Sequence, residues 1–143
     1  MIRRGDAGTA SIEFVWMSVL LLVPFVYVLL CVFDVQRAAY AVSVASRSAA
    51  RAYLLAPSVD MAGDRAARAA RVALEDQDVA AHVTLDCIPT DACLQPDSSV
   101  RVVVRASVPL PLTPSALGSR LGSIAVDSTH VETYGRFHAG TAR

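Results

Sequence analysis

A run of twenty residues without a charged side chain, Phe14 to Phe33, constrains this 143-residue chain more than any other feature. As a helix rising about 1.5 Å per residue, the run spans about 30 Å, the thickness of the hydrocarbon core of a bilayer. Pro24 lies inside it, and proline is tolerated in membrane helices. Because the run has no polar face, a helix in a soluble core is disfavoured. The sequence therefore predicts a transmembrane segment at 14–33.

A cleaved secretory signal is the alternative interpretation of the same run. Arg3 and Arg4 precede it, and Ala39-Tyr40-Ala41 offers a small-x-small site for cleavage after Ala41. The apolar region of a signal peptide has about 7–15 residues, however, so the length of this run favours a retained anchor.

The charge balance excludes one class of partner and leaves the membrane orientation open. The chain has thirteen basic and thirteen acidic residues, so its net charge of zero gives no support for nucleic-acid binding. Arg3 and Arg4 on one side of the run are balanced by Arg37, Arg47 and Arg51 on the other. The positive-inside rule therefore does not fix the orientation.

Two helices are expected after the membrane run. From Asp34 to Ala56 the chain contains no glycine or proline, so the first helix should continue to about residue 56. Its small residues form a stripe that suits packing on another helix or on the chain's own domain: Val35, Ala39, Val42, Ala45, Ala49 and Ala52.

Ser58 or Asp60 would cap the second helix. This helix should turn an apolar face inward at Ala62, Ala66, Ala69, Val72 and Ala73, and arginines outward at Arg65, Arg68 and Arg71.

The C-terminal part alternates between apolar and polar residues with a period of two, which predicts β-strands. The alternating segments are VAAHVTLDC, SVRVVVRASVPL and SIAVDSTHVETYGRF, joined by two connections rich in proline. Three antiparallel strands covered by helices make a small α+β domain. We expect three parts in the chain: residues 1–8, a long helix at 9–56 containing the transmembrane segment, and an α+β domain at 57–143.

Cys87 and Cys93 enclose five residues at the end of the first predicted strand. A disulfide there would close the loop and contribute about 2 kcal/mol of stability; two free thiols in a reducing compartment are the alternative. We favour the disulfide, which implies an oxidising exterior for the domain and a cytoplasmic N-terminus. No metal site is expected, because no CxxC pair or histidine stands at zinc-ligand spacing.

Catalysis is not expected. His82, His130 and His138 are dispersed, and GxSxG, HExxH and P-loop motifs do not occur. Asp127, Ser128 and His130 stand close together, but in a strand Asp127 faces away from the other two. We expect neither an enzymatic activity nor a cofactor.

Glu13, directly before the apolar run, has two interpretations. If it lies in the first helical turn, the positive end of the helix dipole stabilises it by about 0.3–1 kcal/mol. The surrounding order is a short leader with Arg3 and Arg4, then Gly8, with Glu13 as the fifth residue after it. This order resembles the class III signal of type IV pilin-like proteins, in which a prepilin peptidase cuts after the glycine, here between Gly8 and Thr9.

Within that superfamily, Glu13-Phe14 and the extra domain resemble the TadE-like minor pseudopilins of tight-adherence (Tad/Flp) pilus systems. The stretch VRVVVRASVPLPLTP…LGSIAVDSTHVETY is similar to the C-terminal strands of that family. The resemblance implies a single-pass membrane protein with an extracytoplasmic domain that takes part in pilus assembly. Its implied partners are the prepilin peptidase, other pilins or pseudopilins, the Tad secretion machinery and membrane lipid. Glu13 would pair with the new Thr9 amine of a neighbouring subunit.

The alternative is an uncleaved, membrane-tethered extracytoplasmic binding domain. Such a protein requires the apolar run at 14–33 but not Gly8.

Overall fold

The computed structural model of the chain describes residues 7–90, 93–110 and 122–135, and it has two helices followed by three strands. Helix α1 covers Ala7–Leu54, and helix α2 covers Val59–Glu75. The strands are β1 (Ala81–Ile88), β2 (Ser99–Pro109) and β3 (Ser123–Thr133). The expected α+β class, with a long apolar N-terminal helix, a second short helix and a three-stranded antiparallel sheet, is confirmed.

The chain divides into two compact units within α1, between Asp34 and Val35. The division therefore falls inside the long helix. The N-terminal unit contains the apolar part of α1, and the C-terminal unit contains the rest of α1, α2 and the sheet.

In the C-terminal unit, the sheet has the order β1-β2-β3, and both pairings are antiparallel. The central strand β2 alternates as its sequence predicts, with Arg101 and Arg105 exposed on one face. Its other face is buried, at Val100, Val102, Val104, Ala106 and Val108. The connection between β2 and β3, at 111–121, and the residues after Gly135 lie outside the described part of the chain.

α1 and α2 cover the buried face of the sheet with small side chains. From α1 the buried residues are Ala38, Ala41, Val42, Ala45, Ser46, Ala49, Ala50 and Tyr53, and from α2 they are Ala62, Ala66, Ala70 and Leu74. Tyr53 contacts the end of β1 at Cys87, whereas Leu74 lies beside the beginning of β1 at Val83. Since their C-terminal ends lie at opposite ends of β1, the two helices form an antiparallel hairpin.

The stripes expected on the two helices were partly wrong. On α1, Ala39 is exposed, and Ala38 and Ala41 are buried in its place. On α2, Val72 is 67% exposed, while Ala70 and Leu74 occupy the inward positions. The burial on α2 recurs every four residues, so its core face winds slowly around the helix. Neighbouring alanines such as Ala38 and Ala39 are equally hydrophobic, so hydrophobicity alone does not show which of the two is buried.

The helix boundaries agree closely with the turn residues. α1 ends at Leu54, shortly before Pro57. Ser58 takes the N-cap position of α2 with extended backbone angles, but its side chain makes no capping hydrogen bond. The turn after α2 places Asp78 in the left-handed region, with φ of 51°.

Candidate functional site

The sequence motif that points to function lies at the beginning of α1. Gly8 and Thr9 belong to the first turn of this helix, which starts at Ala7. The amides of a first turn have no carbonyl partner within the helix. Arg3 and Arg4, the basic residues of the expected leader, lie outside the described residues. Because the first-turn amides have no partner within the helix, the Gly8–Thr9 bond lies in a helical segment that can open at low free-energy cost.

Glu13 lies almost two turns into α1, and no acidic residue occupies the first turn of the helix. The expectation that Glu13 sits in the first turn was wrong, because the helix extends back through Gly8 to Ala7. The effect of the helix dipole falls off within the first turn, so it gives Glu13 little stabilisation here. The position of this carboxylate requires another explanation.

The surface around Glu13 is apolar and open. The residue is exposed, and it lines a shallow depression of about 330 Å³ with Trp16, Met17, Leu20 and Leu21. Glu13, Trp16 and Leu20 lie on one face of α1 because they are separated by three and four residues. A carboxylate therefore stands at the end of an open apolar depression on the surface of α1.

Beyond Glu13, α1 presents its apolar side chains outward. Among the described residues, α1 is the one helix that is long and apolar enough to cross a membrane, over the range Ser11–Leu54. Phe14, Trp16 and Leu20 are 74%, 69% and 72% exposed. The one hydroxyl in the first part of the run is satisfied locally, because Ser18 Oγ donates to the carbonyl of Phe14 at 2.8 Å. The segment thus suits a lipid environment, or the face of another apolar helix, along its whole length.

In the C-terminal unit, Cys87 and Cys93 form a disulfide with their Cα atoms 5.6 Å apart. The buried Tyr53 packs against it, with its hydroxyl oxygen 3.1 Å from Cys87 Sγ. Since a disulfide sulfur carries no proton, the hydroxyl donates. Burial raises the pKa of Tyr53 above its ordinary value of 10.0. The disulfide is therefore fixed at one end to helix α1.

Two polar residues of β3 lie on the face of the sheet that the helices cover. Ser128 and His130 lie on the face toward the helices and Asp127 lies on the other, as the strand periodicity predicts. Ser128 Oγ lies 3.1 Å from Ser46 Oγ, and His130 Nε2 lies 3.2 Å from Glu132 Oε2. His138 is outside the described residues, and within them no group of three or more histidine, cysteine or acidic residues gathers at metal-binding distance.

Two contacts were missed by the sequence analysis. Ser46, fully buried in α1, meets Ser128 across the core, and Tyr53 meets the disulfide. Ser46 was indistinguishable from the other serines of α1, because its burial depends on the strand that packs over it. Tyr53 carried a usable signal, since it follows Ala45 and Ala49 at helical spacing.

No family model matches this sequence, and no curated protein or solved structure is significantly similar to it. The function of the chain must therefore be inferred from the N-terminal motif and from the geometry of the two units.

Proposed function

We propose that the protein is a membrane-anchored minor pseudopilin, of the TadE-like type, that takes part in assembly of a Tad/Flp pilus. The observation that carries this proposal is the spacing of Gly8, Thr9 and Glu13 immediately before an apolar helix that can cross a membrane. A prepilin peptidase cuts between Gly8 and Thr9, and the apolar segment stays in the mature chain. The proposal involves no catalysis by the chain itself.

The charge on Glu13 supports the same function. A carboxylate costs at least about 2.5 kcal/mol at the centre of a bilayer and less near the interface. Cleavage creates an ammonium group on Thr9, and this group on a neighbouring subunit pairs with Glu13. In a poorly solvated environment the pairing offsets the desolvation of both groups. It also fixes the axial register of two packed helices, because each helix has one such acid at this height.

The disulfide supports an orientation. Disulfides persist in oxidising compartments, so the domain that contains Cys87 and Cys93 lies outside the cytoplasm and the N-terminus lies inside. The leader is then accessible on the cytoplasmic side, where Arg3 and Arg4 oppose translocation. The partners of the chain are the prepilin peptidase, other pilins or pseudopilins, the Tad secretion machinery and the lipid of the inner or cytoplasmic membrane.

Processing is tested by intact-mass measurement of the protein purified from native membranes. We expect a mature chain that begins at Thr9. A Gly8→Leu variant should keep its leader, whereas Gly5→Leu, a matched change within the leader, should be cut normally. A mature protein that begins at Met1 or Val42 contradicts the proposal.

The role of Glu13 is tested separately from processing. Glu13→Ala should insert into the membrane and be cut, yet co-purify with fewer pilus components, because the Thr9 amine loses its partner. Asp127→Ala, which removes an exposed acid from the opposite face of the sheet, is the control and should assemble normally. Unchanged piliation in Glu13→Ala argues against the electrostatic role.

An uncut chain would support the alternative function. The anchor and the folded C-terminal unit would then form a single-pass, membrane-tethered extracytoplasmic binding domain. Gly8→Leu should have no phenotype in that case, which separates the two functions.

A further inference from the structure

Two exposed faces of the helical hairpin carry opposite charges at the same spacing along the helix. On α1 the free face carries Tyr40, Val44, Arg47 and Arg51, and on α2 it carries Asp60, Asp64, Ala67 and Arg71. Seven of these eight side chains are exposed, and Val44 is half-buried. We infer that these faces are the contact between two copies of this chain, with α1 of one copy packed antiparallel against α2 of the other.

The spacing of the two faces defines one register. Along α1 the residues are separated by four, three and four positions, and along α2 in reverse order they are separated by the same intervals. In antiparallel alignment Arg51 therefore lies opposite Asp60 of the second copy, and Arg47 lies opposite Asp64. Val44 and Tyr40 then lie opposite Ala67 and Arg71. The intervals of three and four are those of a helix–helix seam.

The charges needed for this contact are unengaged within one copy. Among the described residues, the side chains of Arg47, Arg51, Asp60 and Asp64 make no ion pair or hydrogen bond. Each like-charged pair is one helical turn apart, so each pair repels itself slightly in the isolated molecule. When Arg47 and Arg51 of one copy face Asp64 and Asp60 of the other, the attraction between opposite charges offsets the repulsion within each pair.

The surface beside Arg71 provides a place for Tyr40. A depression of about 400 Å³ lies between the end of α2 and the beginning of β1, with Ala67 and Arg71 on its wall and Leu74 and Val83 also lining it. Tyr40 is 65% exposed, so its ring is accessible to a second copy. In the register set by the charges, its ring enters this depression next to the Arg71 guanidinium. Stacking of arginine on an aromatic ring is favourable.

The contact has two seams when both pairings form between the same two copies. Each copy supplies one α1 face and one α2 face, and a two-fold axis then relates the two seams. This inference concerns the C-terminal unit and does not depend on cleavage after Gly8.

The test is a charge exchange in the full chain, purified in detergent and measured by sedimentation at several concentrations. The first variant is Arg47→Glu/Arg51→Glu, and the second is Asp60→Arg/Asp64→Arg. Each alone should associate at least tenfold more weakly than the unmodified chain, because both seams lose attraction and gain repulsion. An equimolar mixture should regain the original affinity, because a mixed dimer has opposite charges across both seams.

Controls separate this contact from general charge effects and from misfolding. Arg101→Glu/Arg105→Glu makes the same charge change on the opposite face of the sheet and should associate normally. Recovery in the mixture itself shows that both variants fold. Tyr40→Ala, with no change of charge, should also weaken association, and added salt should weaken it in the unmodified chain. A monomeric unmodified chain, variants that associate unchanged, or a mixture that stays as weak as its components overturns the inference.

Discussion

Ser46 and Ser128 make a side-chain hydrogen bond between α1 and the sheet, and its energy can be measured by a double-mutant cycle. Ser46 Oγ lies 3.0 Å from the carbonyl of Ser43 and 3.1 Å from Ser128 Oγ. A hydroxyl carries one proton, so Ser46 donates to the carbonyl and Ser128 donates to Ser46. The perturbations are Ser46→Ala, Ser128→Ala and the combination of the two.

The expected free energies follow from this arrangement. A net contribution of about 0.5–1.5 kcal/mol is typical for a hydrogen bond of this kind. Ser128→Ala should cost about 1 kcal/mol, whereas Ser46→Ala should cost less, because alanine gains about 0.5 kcal/mol in helix propensity. Each single substitution removes the hydrogen bond between Ser46 and Ser128, and the double variant loses that bond only once, so we expect a coupling energy of about 1 kcal/mol.

Amide hydrogen exchange of β2 in the full chain is the suitable assay. The apolar half of α1 can stay helical in detergent after the C-terminal unit opens, so circular dichroism would mix two signals. Protection of the buried β2 amides reports the opening of the C-terminal unit alone. A coupling energy below about 0.3 kcal/mol, which is the level seen between independent sites, would refute the hydrogen-bond assignment.

Three further outcomes are expected from the same unit. Val102→Ala should destabilise it by about 2–3 kcal/mol, because Val102 is fully buried, while Val103→Ala on the half-buried opposite face should cost clearly less; equal losses in exchange protection would contradict this. Cys87→Ser/Cys93→Ser should cost about 2 kcal/mol, the entropy of a short closed loop, measured against the unmodified chain with and without a dithiol reductant. Burial favours the neutral form of Tyr53, so the stability that Tyr53 contributes should be complete below pH 10 and fall as the pH rises through its raised pKa. Tyr53→Phe should lose this pH dependence of stability. A Tyr53→Phe variant whose stability still falls in the same way above pH 10 would contradict the role of Tyr53.

The parts of the fold that the sequence predicted have strong periodicity. In β2 a valine or alanine stands at every second position, and the buried face agrees with that pattern residue by residue. The apolar run from Phe14 to Phe33 likewise predicted the apolar first part of α1, because a helix without a polar face is disfavoured in a soluble core. In β2 the alternation of burial decides the structure, and in the apolar run the absence of polar side chains decides it.

Other parts could not be predicted because several residues satisfy the same constraint. Ala69 and Ala70 are equally apolar, so only the angle at which α2 meets the sheet decides which is buried. Helix α1 also includes Gly8, since glycine weakens a helix by about 1 kcal/mol but does not end it. The order of the strands and the contact between Ser46 and Ser128 depend on tertiary geometry that local patterns do not encode.

The charges of the N-terminal segment explain why cleavage and assembly would be linked under the proposed function. Before cleavage the segment ahead of Glu13 carries Arg3 and Arg4, and these two cationic side chains hold it at the cytoplasmic face of a membrane. After a cut at Gly8, one amine and one carboxylate remain, four residues apart and neutral together. A neutral helix end is withdrawn from the interface at lower free-energy cost than a cationic one, particularly when a neighbour supplies the opposite partner for each group. The leader would thus retain the chain in the membrane until its removal both releases the helix and creates the group that Glu13 binds.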